Sequence, residues 1–304
     1  MSMRMNVPFI LVGVDGSESA RRAVQWAATE ADRRSLPLHI ANVSDTVGLG
    51  EIPALTVAEG VGVFERIDAA GREELAAAEL WVHNHFPAVK TTTALKSGAP
   101  AATMVELSRD AFLTVVGASG VGGFGSILLG SIAMALVTNG HSPVAVIRGS
   151  KDDGGALRET GPVVLGVDTG SSSEAAIGWA FDEASRRNTN LIAVHAWTAY
   201  LDVYAQVYGL AAGDDLEAEA QGERAAFAER LAGWQEKYPD VSVDQVLRTG
   251  KPAKTLLEYA ADAQLVVVGS RGHGDVTGVL FGSVSRSLIH HSPCPVLVAR
   301  NRNE

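Results

Sequence analysis

The stretch that decides the fold is Leu113 to Ser131, LTVVGASGVGGFGSILLGS, and it has a counterpart at Leu265 to Ser283, LVVVGSRGHGDVTGVLFGS. Each stretch opens with an apolar run typical of a buried strand, continues as G-x2-G-x9-G-S, and ends where a helix is expected. This is the layout of a loop that offers backbone N–H groups to a phosphate. Because the signature occurs twice, the sequence predicts two sites.

The duplication extends over the whole chain. The matches keep an offset of 153 (179 minus 26) near the start of each copy and 152 (269 minus 117) at the glycines. They include Val12 to Asp15 with Leu165 to Asp168, Trp26 with Trp179, and Gly117 with Gly269. A chain of 304 residues is about twice the usual domain size. We therefore predict two domains, 1–150 and 151–304, joined by a polar, glycine-containing linker at about 149–161.

Strand and helix patterns alternate within each copy. The first copy has apolar runs near Phe9 to Val14, Leu38 to Val43, Val89 to Leu95, Phe112 to Gly117 and Val144 to Arg148. Helical patterns lie near Ala20 to Arg34, Phe64 to His85, Ala101 to Arg109 and Ser131 to Thr138. Continuous apolar runs are typical of a parallel sheet covered on both faces. The predicted fold class is α/β, with two tandem doubly wound five-stranded parallel sheets of order 3-2-1-4-5.

In such a sheet, ligands bind where the strand order reverses, beyond the carboxyl ends of the strands. Asp15 ends the first strand and Gly117 the fourth, so we expect them to meet at one crevice, as Asp168 and Gly269 would in the second copy. Glycines there permit positive φ and close approach to a ligand, and the helix that follows favours phosphate oxygens. The alternative is that the glycines only make turns and that Asp15 caps the first helix.

Composition narrows the partners and the compartment. A formal net charge of -10 opposes attraction to nucleic acid or to an anionic membrane. The single cysteine, Cys294, and the lack of a signal-peptide pattern favour a reducing cytoplasm. The segment between Asp110 and Arg148 has no charged residue, but its counterpart carries Arg271, Asp275 and Arg286. We interpret it as a strand, a glycine loop and a buried helix, with no membrane span.

These motifs resemble the universal stress protein family, in particular its tandem-domain, ATP-binding, mycobacterial-like branch with the adenine nucleotide alpha hydrolase-like fold. The resemblance covers Ile10 to Arg148 and Val163 to Arg300. It implies ATP or another adenine nucleotide in each domain, with Mg2+ held mainly by the phosphates. Asp15 and Asp168 would contact adenosine, and the backbone of Val43 and Ala196 the adenine edge. The phosphates would be held by Gly117, Gly120, Gly130 and Ser131, and by Gly269, Gly272, Gly282 and Ser283. Pro100 with Ala101, and Pro252 with Ala253, would line the pockets.

The two predicted sites differ in charge. Arg271, His273 and Arg286 surround the second loop, where the first has Ser119, Val121 and Met134. Without a cation near the first loop, we expect the second site to bind a triphosphate more tightly, through charge-assisted hydrogen bonds.

The first site also lacks a positioned base, nucleophile or cationic clamp, so no catalytic residue is predicted and we expect at most slow ATPase activity. His195 is not expected to be catalytic, since Asn42 replaces it in the first copy. The family implies a nucleotide-dependent regulator in stress response or growth control. A nucleotide-independent protein-interaction module and a weak ATP hydrolase remain alternatives. Expected partners are an adenine nucleotide and proteins, and the last strand of each copy leaves a homodimer open.

Overall fold

A computed structural model of the protein describes residues 7–45, 57–120, 129–149, 156–168, 173–197, 213–270 and 282–300. Contacts divide the chain into two compact units, a first unit that ends at Leu157 and a second unit, Arg158–Arg300. The predicted domain boundary at residues 150 and 151 lies outside the described residues.

The first unit alternates strands and helices in the predicted order. Its elements are β1 (Ile10–Gly13), α1 (Glu18–Arg34), β2 (Leu38–Asp45), α2 (Val57–His85), β3 (Thr91–Gly98), α3 (Pro100–Leu107), β4 (Leu113–Gly117), α4 (Ser131–Asn139) and β5 (Val144–Ile147). The strand order is β3-β2-β1-β4-β5, and the neighbouring strands run parallel. The register places Ile10 beside Leu38 on one side and Leu113 on the other. The predicted order 3-2-1-4-5 is thus confirmed.

The second unit repeats this arrangement. Its described elements are β6 (Val163–Val167), α5 (Glu174–Arg186), β7 (Leu191–Trp197), α6 (Gly213–Lys237), β8 (Val243–Thr249), α7 (Pro252–Ala260), β9 (Leu265–Gly269), α8 (Ser283–His291) and β10 (Val296–Ala299). The order β8-β7-β6-β9-β10 is the same as in the first unit once each unit is numbered from its own first strand. All the pairs are parallel.

The core of each unit lies at its central strands. Ile10, Leu11 and Val12 in β1 are fully buried, and α1 covers them with the helically spaced Ala23 and Ala27. The third strand differs from the expected buried run: β3 lies at the edge of its sheet, and its residues are exposed or half-buried. The charge-free segment contains β4, the nine-residue α4 and β5, with residues 121–128 outside the described part. No helix among the described residues is long and apolar enough to cross a membrane.

Candidate functional site

The strand order creates one crevice in each unit. β1 lies between β2 and β4, and β6 lies between β7 and β9. The order in which successive strands are added to the sheet therefore reverses at β1 and at β6. The first crevice is formed by the carboxyl ends of β1 and β4 with the start of α4, and the second by those of β6 and β9 with the start of α8. Ligands of open parallel sheets bind at such positions.

In the first crevice, Asp15 faces the glycine loop. A Cβ added to Gly120 would stand 2.7 Å from Asp15 Oδ2, so the two residues are in direct contact. The other carboxylate oxygen, Oδ1, accepts from the Ser17 N–H at 3.0 Å. The cap of α1 is Ser17, whose Oγ accepts from the Ala20 N–H at 3.1 Å. The alternative in which Asp15 caps this helix is therefore wrong, and one of its oxygens is directed at the loop.

Gly117 is needed for packing within the protein. A Cβ at this position would lie 2.7 Å from the carbonyl carbon of Ser19, in the first turn of α1. The Ser19 hydroxyl also accepts from the Ser119 N–H at 3.3 Å, a link that the sequence did not reveal. The expected positive φ is not found at Gly117 or Gly120, since the described positive-φ glycines are Gly16, Gly98, Gly161 and Gly250. Gly117 thus allows α1 to approach β4 closely.

Gly130 shows the opposite behaviour. Its backbone (φ -64°, ψ 150°) suits any residue, and among the described residues an added Cβ would meet nothing nearer than 3.6 Å. Its N–H closes the loop by donating to Ala118 O at 2.8 Å. The backbone conformation does not require a glycine here, and the lack of a side chain allows a group to approach the start of α4 closely.

The helices after both loops start in the same way. α4 begins at Ser131 and α8 at Ser283, each preceded by an extended glycine and neither with a side-chain cap. Both serines are exposed. The Gly282 N–H donates to Ser270 O at 3.0 Å, as Gly130 does to Ala118. Each crevice thus receives a helix amino end whose first N–H groups and dipole attract an anion.

The second aspartate is held differently from the first. The backbone N–H of Asp168 donates to Ser173 Oγ at 3.1 Å, and the Ser173 hydroxyl donates to Asp168 Oδ1 at 2.5 Å. Asp168 and Gly269 follow adjacent strands, as Asp15 and Gly117 do. Gly272, Arg271 and His273 lie outside the described residues.

Val43 and Ala196 are the residues predicted to contact the edge of the adenine. They lie near the carboxyl ends of β2 and β7, which extend past the ends of β1 and β6. Ala41 O accepts from the Val14 N–H at 2.9 Å, and the β1–β2 ladder ends at this level. Because backbone groups alternate along a strand, the next groups on that edge belong to Val43. Ala196 follows the last β6–β7 pair in the same way. These edges can hydrogen-bond a planar ligand.

The weaker predicted positions begin helices at the same edge of the sheets. Pro100 and Ala101 open α3, and Pro252 and Ala253 open α7. They follow the carboxyl ends of β3 and β8, so the structure places them on the crevice side of each unit.

A cation stands nearer to the first crevice than the sequence indicated. Arg21 Nη2 lies 3.3 Å from the carbonyl oxygen of Gly16, directly after Asp15. Its counterpart, 153 positions later, is Glu174, whose Oε1 accepts from Trp234 Nε1 at 2.9 Å. Arg21 also pairs with Glu18 at 3.6 Å, and the expectation that the first glycine loop has no cation nearby stays a prediction. The exposed Arg286, in the first turn of α8, does correspond to Met134 in α4.

Each unit also has an arginine directly after its last strand. Ala118 donates to Ile147 O and Ser270 to Ala299 O, both at 3.0 Å, so Arg148 and Arg300 follow the residues that bond the glycine loops. Burial lowers the pKa of the Arg148 guanidinium from its ordinary value, which still leaves it charged. Within the described ranges, no group of three or more His, Cys, Asp or Glu side chains could hold a metal ion.

Comparisons with known proteins agree with this duplicated architecture. The sequence model of the universal stress protein family matches the chain twice, at residues 9–148 and 159–300. A universal stress protein of Mycobacterium tuberculosis is 42% identical over 295 residues, which cover 96% of each chain. One of Mycolicibacterium smegmatis is 38% identical over 296 residues, covering 96% of this chain and 97% of the relative. The crystal structure of a universal stress protein from Archaeoglobus fulgidus has the same fold, with a TM-score of 0.67, 19% identity, and coverage of 97% of this chain and 99% of that one.

Proposed function

Because the chain belongs to the universal stress protein family, with one match in each half, we propose that each unit binds one adenine nucleotide. In this proposal the nucleotide-bound state stabilises one conformation or assembly, and the protein acts as a cytoplasmic regulator in stress response or growth control. The observation that carries the proposal is the start of α4 at Gly130, which has no side-chain cap and lies at the end of the glycine loop that Asp15 contacts.

The phosphate end of the ligand would lie at that helix start. Within the described part of the first unit, a Cβ at Gly130 would meet no atom closer than 3.6 Å, which supports a ligand group beside this position. The exposed Ser131 hydroxyl and the first N–H groups of α4 supply donors there. Ser283 and the start of α8 supply the same donors in the second crevice.

The adenosine end would lie toward β1 and β2. Asp15 Oδ2 is an acceptor that suits a ribose hydroxyl, and the backbone edge at Val43 suits the edge of a purine ring. Asp168 and Ala196 occupy the equivalent places in the second crevice. The sheet then fixes the distance between the site of the phosphates and the site of the adenosine.

Magnesium would enter with the nucleotide. Mg2+ prefers oxygen ligands and is commonly bound by one or two carboxylates together with substrate phosphates. In this proposal the phosphates are the main ligands of the ion, and Asp15, which accepts from the ribose, would reach it only through water. The ion would neutralise phosphate charge, while Asp15 orients the ligand.

Binding without rapid turnover fits the described side chains. General acid–base catalysis requires a side chain within hydrogen-bond reach of the reacting group. The described parts of both loops offer backbone groups and serine hydroxyls at the phosphate end. We therefore propose a nucleotide-holding regulator with at most slow ATPase activity.

The decisive experiment is mass spectrometry of small molecules released by denaturing the purified protein. We expect an adenine nucleotide, with no turnover of added Mg-ATP beyond a slow background. Protein that releases none, and binds none when Mg-ATP is added, would instead be an interaction module. Fast turnover that Asp168→Ala abolishes would establish a hydrolase.

A further inference from the structure

His195 is buried directly beside the second crevice. It lies in β7, pairs with Val167 in the β6–β7 ladder, and its Nδ1 is 2.9 Å from Val167 O. A carbonyl oxygen only accepts, so Nδ1 carries the hydrogen in this bond. Val167 immediately precedes Asp168. The imidazole thus holds the last carbonyl of β6 before the aspartate.

The other ring nitrogen contacts a helix. His195 Nε2 lies 3.0 Å from Glu223 Oε2 of α6, with side chains 5% and 30% exposed. Phe227, one turn further along the same helix, packs on the imidazole with ring centroids 5.6 Å apart. His195 therefore connects α6 to the end of β6 through contacts on opposite sides of one rigid ring: Nδ1 donates to Val167 O, and Nε2 lies against the Glu223 carboxylate.

The first unit holds the corresponding carbonyl, that of Val14, without a side chain that also contacts a carboxylate of the neighbouring helix. Asn42, the counterpart of His195 at an offset of 153, donates from Nδ2 to Val14 O at 3.0 Å. The counterpart of Glu223 at an offset of 152 is Gly71 in α2. A Cβ there would stand 2.7 Å from Asn42 Oδ1, so the helix lies directly on the amide. The carbonyl before the aspartate is held in both units, but only the second uses a charged side chain of the helix.

We propose that His195 and Glu223 are a positioning pair that sets the place of Asp168 in the second crevice and couples ligand binding there to helix α6. The proposal rests on the proposed function only in that the positioned carboxylate contacts the ligand. In the first unit, Asn42 holds the Val14 carbonyl without a carboxylate of α2, and the α2 carboxylates reach other groups: Asp68 accepts from the Ser44 hydroxyl, and Glu74 lies against Gly16. The pair Asn42 and Gly71 of the first unit therefore serves as a natural control for His195 and Glu223.

The test replaces the second unit's pair by the residues found in the first unit. In a Gly130→Ala background, which leaves the second crevice as the binding site, Mg-ATP is titrated into His195→Ala and into the double variant His195→Asn with Glu223→Gly. We expect about tenfold weaker binding for His195→Ala, and recovery to within about threefold for the double variant, which recreates the first unit's pair. A double variant as weak as His195→Ala would overturn the proposal. So would unchanged binding in His195→Ala.

A second readout needs no ligand. The Asp168 amide, which donates to Ser173 Oγ, is followed by hydrogen exchange, with the Leu165 amide of β6 and the Asp15 amide as controls. We expect His195→Ala to accelerate exchange at Asp168 selectively, and the double variant to restore it. Equal acceleration at Leu165 would indicate a merely structural role and refute positioning. If the wild-type protein binds no adenine nucleotide, the proposed function fails. Amide exchange at Asp168 still tests whether His195 and Glu223 position this residue.

Discussion

The first and second crevices carry the same glycine signature, yet they hold their aspartates in different ways. Asp15 Oδ1 accepts a hydrogen bond from the Ser17 N–H, whereas Asp168 Oδ1 accepts one from the Ser173 hydroxyl. Arg21 donates to the carbonyl oxygen of Gly16, next to Asp15, whereas its counterpart Glu174 accepts from Trp234 Nε1. Duplication thus preserved the backbone groups at the starts of α4 and α8, while the side chains around the two aspartates diverged. We expect phosphate binding to be common to both crevices and the affinities to differ through their surroundings.

The largest effect should come from filling the space at the helix start. Gly130→Ala and Gly282→Ala should each weaken Mg-ATP binding at their own crevice about 100-fold, because a methyl group would stand where phosphate oxygens approach the N–H groups. Isothermal titration of both variants measures the loss and its stoichiometry. Ser131→Ala, which removes one hydroxyl, is the matched control and should cost only a few-fold. Wild-type affinity in Gly130→Ala would mean that the phosphates bind elsewhere.

Gly117→Ala should instead destabilise the fold. The added methyl group would stand 2.7 Å from backbone of Ser19, so α1 must move and the free energy of unfolding should fall by about 2 kcal/mol. Gly130→Ala, with a nearest atom at 3.6 Å, should change it by less than about 0.5 kcal/mol. Urea unfolding distinguishes the two glycines. Equal stability of the two variants would remove the distinction drawn here between a packing glycine and a ligand glycine.

The two units should respond differently to alkaline pH. Burial raises the pKa of the Cys294 thiol from 9.0 to about 11, while its counterpart Ser142 shares a hydrogen bond with Thr114. The folded chain holds the thiol proton more tightly than the unfolded chain does. This contribution to stability is therefore complete below pH 9 and is lost as pH rises through about 11.

The comparison of wild type with Cys294→Ser isolates this thiol. Between pH 8.5 and 10.5, the free energy of unfolding of the wild type should fall by about 2 kcal/mol more than that of the serine variant. Denaturant titrations at the two pH values provide the measurement. Parallel pH dependence in both proteins would show that the thiol is not the source.

Removing the aspartates tests the adenosine end. Asp15→Ala and Asp168→Ala should each weaken binding at their own crevice about tenfold, since each loses one acceptor for a ribose hydroxyl. The binding of 2′,3′-dideoxy-ATP, which lacks both hydroxyls, should change little between variant and wild type. An equal loss for ATP and for the dideoxy analogue would place the aspartates away from the ribose.

Exchanging the charges near the loops should have the smallest effect. Arg286→Met should weaken triphosphate binding at the second crevice about threefold, and Met134→Arg should strengthen it at the first by a similar factor. Both changes should shrink as salt is raised, because exposed charges are screened. Titrations at low and high salt test this, and Arg21→Ala shows whether the arginine beside Gly16 already supplies charge to the first crevice. If neither exchange changes the affinity, the predicted preference for the second crevice must have another source.

Much of the fold could be predicted because local patterns and the repeat agree. The apolar runs and helical spacings gave the elements, and the repeated Asp15 and Gly117 placed the crevices at the strand ends. In the sequence, Glu30 and Arg34 recur as Glu183 and Arg187, but only packing shows that each Glu–Arg pair is a buried ion pair.

Tertiary contacts could not be predicted in this way. The sequence cannot show that Ser19 lies against Gly117, because the two are about a hundred residues apart and meet only when α1 packs on β4. The role of His195 was missed for a similar reason: comparing it with Asn42 argued against catalysis, while their common bond to the preceding strand appears only in the folded chain. Edge position likewise decides the exposure of β3.

The most direct test of the central claim is equilibrium dialysis of the intact chain against labelled Mg-ATP. At a nucleotide concentration that just saturates the wild type, one nucleotide in each crevice predicts two per chain, one in Gly130→Ala or Gly282→Ala, and almost none when the two changes are combined. A wild-type protein that retains no nucleotide, or a doubly substituted protein that still retains two, would contradict the account.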